Sequence, residues 1–117
     1  MAKFTNLRVW HEARALLRLV SAATRDMRPE GDLKSQLRRA AISVVSNISE
    51  GSERGSDRDF RRFLTIANAS AAEVEAQATI AMDIDCLDAE RAQPIIGQCQ
   101  VVGRMITKLV AVLDART

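Results

Sequence analysis

The chain of 117 residues has few of the residues that most catalytic and metal-binding sites require. It contains one histidine and two cysteines, and no spacing of these residues matches a zinc site. A single histidine also disfavours a Ser/His/Asp triad and a di-iron helical bundle. We therefore expect a non-enzymatic protein with no cofactor and no metal. Its two cysteines, Cys86 and Cys99, should not form a disulfide.

Turn-forming residues, aromatic residues and long apolar runs are also scarce. Five glycines and two prolines are few for a β-sandwich, and the absence of tyrosine with one tryptophan leaves little for base stacking. No run approaches the roughly 20 apolar residues of a membrane span. With 47% hydrophobic residues and a net charge of +2, the sequence predicts one folded domain over residues 1–117. We expect a cytoplasmic protein with no membrane partner.

Apolar residues recur at helical spacing in four segments. This spacing predicts helices over about residues 7–27, 33–50, 57–85 and 89–114. Four amphipathic helices joined by short links predict an all-α, antiparallel, up-down-up-down four-helix bundle. The predicted core contains Trp10, Leu17, Leu37, Val44, Phe60, Leu64, Val74, Ile106 and Leu109.

Local signals predict where individual helices begin and end. Ser56 and Asp88 are candidate N-caps of the third and fourth helices, as Asp32 is of the second. Gly51 is expected to end the second helix. Pro94 should kink the fourth helix or delay its start.

A second row of residues accompanies the core stripe on three of the helices. These rows mix apolar, amide and charged side chains, a composition more typical of a subunit interface than of a solvent-exposed face. They predict a homo-oligomer, against the alternatives of scattered surface hydrophobics or a ligand pocket. The candidate interface or polar-network residues are Gln36, Arg39, Ser43, Asn47, Glu50, Phe63, Ile66, Ser70, Glu73 and Met105.

Charge is distributed unevenly along the predicted bundle. Its topology places the loop between the second and third helices at the same end as both termini, and this end is rich in arginine. Arginine side chains suit phosphate recognition, so this basic end is a candidate nucleic-acid-binding surface. The alternative is that these arginines pair with Glu50, Glu53, Asp57 and Asp59. The candidate residues are Arg54, Arg58, Arg61 and Arg62.

Three segments carry a resemblance to a known family: FTNLRVWHEA, QLRRAAISVVSNISEG and FRRFLTIANASAAEVE. They resemble the bacterial four-helix-bundle family of 23S rRNA intervening sequences, which includes the accessory variability protein of diversity-generating retroelements. The sequence differs from the family pattern at Ser49 and Ala69, where alanine and glycine are common. The pattern falls on Trp10, Gln36, Arg38, Arg39, Ala40, Asn47, Ile48, Glu50, Gly51, Arg54, Phe60, Phe63, Leu64, Ser70 and Glu73.

This resemblance implies a closed four-helix protomer that assembles as a homopentameric ring. The residue pattern alone predicts self-association but not the number five. The expected function is a non-enzymatic scaffold whose partners are further copies of itself and, through its basic end, RNA or a nucleic-acid-bound protein. The alternative is an accessory subunit of a retroelement reverse transcriptase.

Overall fold

The protein consists of four long helices connected by short links. The computed structural model describes residue 4 and residues 7–116. The helices are α1 (Arg8–Arg25), α2 (Leu33–Glu53), α3 (Asp57–Asp83) and α4 (Ala89–Ala115). The described part of the chain contains no β-strand. The predicted all-α class and the four helices are confirmed, and the observed ends lie within three residues of the predicted ones.

Each helix packs against two neighbours in a closed bundle, α1 with α2 and α4, and α3 with α2 and α4. Contacts between opposite helix ends show that neighbours are antiparallel. Trp10 near the start of α1 donates from Nε1 to Ser49 Oγ near the end of α2, at 2.8 Å. Arg61 at the start of α3 contacts Asp114 at the end of α4. The α1–α4 side and the α2–α3 side are therefore opposite sides of the bundle.

The core is a single apolar cluster to which all four helices contribute. Six of the nine predicted core residues are buried, whereas Trp10, Leu17 and Leu109 are only half-buried. On α1 the buried positions are Val9, Ala13, Leu16, Val20, Ala23 and Thr24. Val9 and Leu16, each one residue before a predicted core residue, lie in the core in place of Trp10 and Leu17.

The caps predicted at Ser56 and Asp88 are confirmed. The Ser56 hydroxyl accepts from the amide of Asp59 at 3.2 Å, and Asp88 Oδ1 accepts from the amide of Arg91 at 2.9 Å. Asp32 occupies the N-cap of α2, but its side chain makes no capping hydrogen bond. The bonds from Ser56 and Asp88 satisfy amide groups that the start of a helix otherwise leaves without a partner.

The expectation for Gly51 is wrong, and one of the two outcomes expected for Pro94 does not occur. Gly51 does not end α2, which continues to Glu53; it lies inside the helix where α3 approaches closely. Pro94 does not delay α4, because the capped helix begins at Ala89 and includes it. By length and composition α4 is also apolar enough to cross a membrane, a property shared with core helices of bundles.

Candidate functional site

The second rows predicted on α2 and α3 meet along one side of the bundle. Ser43 Oγ and Ser70 Oγ lie 2.9 Å apart across the two helices. Asn47 Nδ2 donates to the carbonyl of Ser43 at 2.8 Å and to its Oγ at 3.0 Å. Ser70 is only 9% exposed. Residues from two separate sequence patterns therefore form one hydrogen-bonded cluster between α2 and α3.

A second polar cluster lies on the same side, closer to the end of α3. Gln77 Nε2 donates to Glu73 Oε1 at 3.2 Å and approaches Gln36 Oε1 at 3.5 Å. The Gln77 side chain is only 8% exposed. Its Oε1 is buried and has no hydrogen-bond partner among the described residues. We call Gln36, Glu73 and Gln77 the acceptor cluster, because each of them presents a side-chain oxygen there.

Exposed apolar side chains flank these polar clusters. Ile66 is 40% exposed and Ile80 is 49% exposed, on the outer edge of the same row of α3. Isoleucines exposed to this extent are unusual on the solvent face of α3, because the helix already has a complete core stripe. We call this whole surface the α2–α3 face. Its residues are Gln36, Arg39, Ser43, Asn47 and Glu50 on α2, with Phe63, Ile66, Ser70, Glu73, Gln77 and Ile80 on α3.

Met105 does not belong to the α2–α3 face, although sequence analysis grouped it with those residues. It lies on the opposite side of the bundle, in a groove of about 500 Å³ between α1 and α4. We call this surface the α1–α4 groove. Its apolar lining is Leu7, Val9, Val101, Met105, Leu109 and Val112, and its cationic lining is Arg8, Arg104 and Lys108.

Most of the arginines at the basic end have carboxylate neighbours. Arg54 Nη2 lies 2.8 Å from Glu50 Oε1, and Arg61 Nε lies 2.6 Å from Asp114 Oδ1. Arg62 Nε is 3.9 Å from Asp59 Oδ1, a long ion pair. Arg58 has no ion pair or hydrogen bond within the described part of the chain.

Phe63 organises two of these arginines in a way that sequence analysis missed. The guanidinium carbon of Arg54 lies 4.9 Å from the centre of the Phe63 ring, and that of Arg62 lies 4.6 Å from it. Both distances are within the range of cation–π attraction. Arg54 is the C-cap residue of α2 and lies nine positions before Phe63, so the sequence gave no signal that it approaches the same ring as Arg62.

The cysteines are both free, as predicted, and the structure shows that both are buried. Burial, with a smaller contribution from the negative charge of Glu75, raises the pKa of the Cys99 thiol to about 12. A thiol with this pKa stays protonated near neutral pH and is a poor nucleophile. Among the described residues, no group of three or more His, Cys, Asp or Glu side chains is placed to hold a metal ion.

Comparison with known proteins connects this bundle to one family. Residues 5–108 match the model of the 23S rRNA-intervening sequence protein family. No curated protein matches the chain. The fold is similar to a crystal structure from Bacteroides thetaiotaomicron, described as a protein of unknown function from the S23 ribosomal protein family. The similarity has a TM-score of 0.82 at 18% identity, over 87% of this chain and 97% of the other. The family match spans most of the sequence, so the chain belongs to the 23S rRNA-intervening sequence protein family.

Proposed function

We propose that this protein is a non-enzymatic scaffold that assembles from copies of itself, as the pentamer expected from the family resemblance. In this assembly the α2–α3 face of one protomer contacts the α1–α4 groove of the next. The observation that carries the proposal is the location of these two surfaces on opposite sides of the bundle, each with exposed or half-buried apolar side chains.

The type of assembly depends on whether the two surfaces in contact are different or identical. When two different surfaces of one chain meet, each protomer retains one unused copy of each surface. Further protomers are then added until the rotation between neighbours closes a ring. Two-fold pairing of identical surfaces would instead stop at a dimer. A contact between the α2–α3 face and the α1–α4 groove therefore supports a ring.

The α2–α3 face also offers a matched test of self-assembly. Ile66 and Ile80 lie on this face, whereas Ile42 is 51% exposed and lines a different groove with Met27 and Arg38. Replacing any of these isoleucines with aspartate removes exposed apolar surface without altering the core. Ile66→Asp and Ile80→Asp should dissociate the assembly, because they place a charge in the contact, and Ile42→Asp should not.

Light scattering coupled to gel filtration measures this directly. The wild type should have a mass of about five times the 12.9 kDa protomer. The two α3 variants should shift toward 12.9 kDa, with circular dichroism unchanged. A wild type that is monomeric at all concentrations would contradict the proposal. Equal effects of Ile42→Asp and Ile66→Asp would show that the α2–α3 face has no special role.

A second function, phosphate-backbone binding at the basic end, is supported by the arrangement of its arginines. Arg58 has no carboxylate partner in the described chain, and the ion pairs of Arg54 and Arg61 are about half exposed. Exposed ion pairs contribute only about 0–1 kcal/mol, so a phosphate can displace the carboxylate at little cost. A ring presents the same end of every protomer on one side, which multiplies a weak contact.

RNA titrations at two salt concentrations test this second function. Binding should be tolerant of sequence and should weaken steeply as salt rises, because phosphate contacts release counterions. Arg58→Glu should reduce affinity, and Arg18→Glu, an equal charge change on the exposed side of α1, should not. No binding by the assembled wild type at low salt would exclude the phosphate role. The retroelement role stays a prediction.

A further inference from the structure

We propose that a groove between α3 and α4 binds an extended peptide segment of a partner protein, in which a cationic group and a carboxylate lie a few residues apart. This groove, which we call the α3–α4 groove, has a volume of about 520 Å³ and a floor of Ala71, Ala72, Cys99 and Gly103. It lies on another side of the bundle from the α2–α3 face and the α1–α4 groove. The inference therefore goes beyond the proposed self-assembly and does not depend on it.

Small side chains leave the α3–α4 groove open. Gly103 of α4 faces α3, because a Cβ atom there would lie 3.4 Å from Asn68 Oδ1. Opposite Gly103, α3 contributes Ala71 and Ala72 to the floor. The volume falls within the range of about 300–1,000 Å³ that is typical of ligand sites. A peptide can therefore approach both helices closely without displacing a long side chain from the floor.

The two ends of the α3–α4 groove carry opposite charges. Glu75 is half-buried close to Cys99, where burial raises the pKa of the thiol and the negative charge of Glu75 adds to the effect. Arg104 and Lys108 lie toward the other end, on the ridge of α4 that also borders the α1–α4 groove. None of these three charged side chains forms an ion pair within the described part of the chain. A ligand with a cation at one end and a carboxylate at the other would pair with both ends.

The spacing of these charges indicates the length of the ligand. Cys99, which is close to Glu75, precedes Arg104 by five residues and Lys108 by nine. At 1.5 Å per residue, these separations are about 8 and 14 Å along α4. An extended chain advances roughly 3.3 Å per residue, so a lysine and a glutamate three positions apart lie about 10 Å from each other. A segment of the pattern Lys-x-x-Glu therefore matches the groove.

Two amide side chains favour an extended segment over a helix. Asn68 on α3 and Gln100 on α4 border the α3–α4 groove, and neither side chain forms a hydrogen bond with another described residue. A side-chain amide can donate to a carbonyl and accept from an N–H group. An extended chain has such backbone groups available, whereas a helix pairs them internally. A helix docked in the groove, including one from a second copy of this chain, would leave both amides without a partner.

Tetrapeptides with blocked ends test this site, because only their side chains carry charge. In ¹H–¹⁵N spectra of the wild type, acetyl-Lys-Ala-Ala-Glu-amide should shift the backbone resonances of Asn68, Ala72 and Gly103 and leave those of α1 and α2 unchanged. Peptides with lysine at both charged positions, or glutamate at both, should bind at least about tenfold more weakly. Each of them loses one hydrogen bond between charged groups.

Two pairs of variants separate the charge of the groove from its shape. Glu75→Lys should reverse the preference, so that the peptide with two glutamates binds more tightly than the peptide with lysine and glutamate. Glu53→Lys, an equal change at the exposed end of α2, should keep the wild-type preference. Gly103→Leu should abolish binding by filling the groove, with circular dichroism unchanged. Gly97→Leu, at a position of α4 where a Cβ would meet no atom within 4 Å, should not.

The outcomes distinguish this site from self-assembly. Equal binding of the three peptides, or resonance shifts outside the α3–α4 groove alone, would overturn the inference. An assembled wild type that binds none of the peptides would also overturn it and leave self-assembly standing. A monomeric wild type that binds the peptide with lysine and glutamate would support the site and contradict the assembly.

Discussion

The contact between Gly51 and α3 predicts that an alanine at this helix position is destabilising. Gly51 lies within α2, and a Cβ atom there would lie 2.7 Å from Phe63 Cβ and 3.1 Å from Phe60 Cδ1. The nearer of these atoms is fixed by the backbone of α3, so no change of the Phe63 rotamer relieves the contact. In Gly51→Ala the two helices must therefore move apart.

Two opposing contributions decide the sign of this effect. Alanine is favoured over glycine in a helix interior by about 0.5–1 kcal/mol. Inserting a methyl group into a packed contact costs about 1–3 kcal/mol. The steric cost is the larger, so we expect Gly51→Ala to lower the free energy of unfolding by about 1 kcal/mol.

Gly97→Ala is the matched control, because a Cβ at Gly97 would meet no atom within 4 Å. This variant gains the same helix propensity without a steric cost, so it should raise the free energy of unfolding by about 0.5–1 kcal/mol. The difference between the two variants isolates the steric cost, about 1–3 kcal/mol. Denaturation by urea, followed by circular dichroism at one protein concentration, measures both values under equal conditions of assembly.

An outcome in which both alanine variants stabilise the protein equally would refute the reasoning. It would mean that α2 and α3 are not in contact at Gly51, and that this glycine has no packing role. A destabilised Gly97→Ala would instead show that exposed positions of α4 are covered by another copy of the chain.

Three further predictions concern the core, one cap and one thiol. Leu37 is fully buried, so Leu37→Ala should lower the free energy of unfolding by about 2–5 kcal/mol, and a loss below 1 kcal/mol in urea would contradict its core position. Ser56→Ala removes the hydrogen bond to the amide of Asp59 and should cost about 1 kcal/mol by the same assay, with Ser56→Asn retaining most of the stability. Burial keeps Cys99 protonated in the folded state up to a pKa of about 12, whereas the unfolded thiol ionises near 9.0, so stability should fall as pH rises above about 9. Cys99→Ser should reduce this alkaline loss in pH-dependent melting, and an unchanged pH profile would contradict it.

The four helices and most of the core were predictable because their signal is periodic and local. A stripe of apolar residues every three or four positions marks a helix regardless of what packs against it. The N-caps at Ser56 and Asp88 were equally predictable, because an N-cap hydrogen bond involves only the first turn of the helix that follows. These features need no knowledge of neighbouring elements.

The incorrect predictions concern residues whose position depends on contacts with another helix. Helical spacing predicts a core position for Trp10, but its indole donates to Ser49 Oγ and so lies at the edge between α1 and α2. Gly51 was interpreted as a helix end, because sequence does not show that Phe63 Cβ lies against it. Both positions are determined by a partner more than ten residues away.

The sequence indicated second rows of residues on three helices but not how these rows are arranged around the bundle. Periodicity placed a second row on each of three helices, and it did not indicate which rows face the same side. The structure joins the rows of α2 and α3 through Ser43 and Ser70 and separates Met105 onto the opposite side. That separation depends on the order of helices around the bundle. It assigns the three rows to two distinct surfaces of the protomer.

The polar residues buried between α2 and α3 differ in how fully they are hydrogen-bonded. Ser70 and Gln77 are nearly as buried as the apolar core, and buried polar groups are favourable only when they are hydrogen-bonded. Ser70 meets this condition within the protomer, through Ser43. Gln77 meets it for its nitrogen but not for its oxygen. A leucine at position 77 would stabilise an isolated protomer more than glutamine does, because it would extend the core without leaving an acceptor unpaired. The Gln77 oxygen is buried, so a docked partner cannot reach it, and Gln77→Leu should raise the free energy of unfolding of the protomer in urea by removing an unpaired acceptor. An unchanged or lower free energy of unfolding in Gln77→Leu would contradict this account.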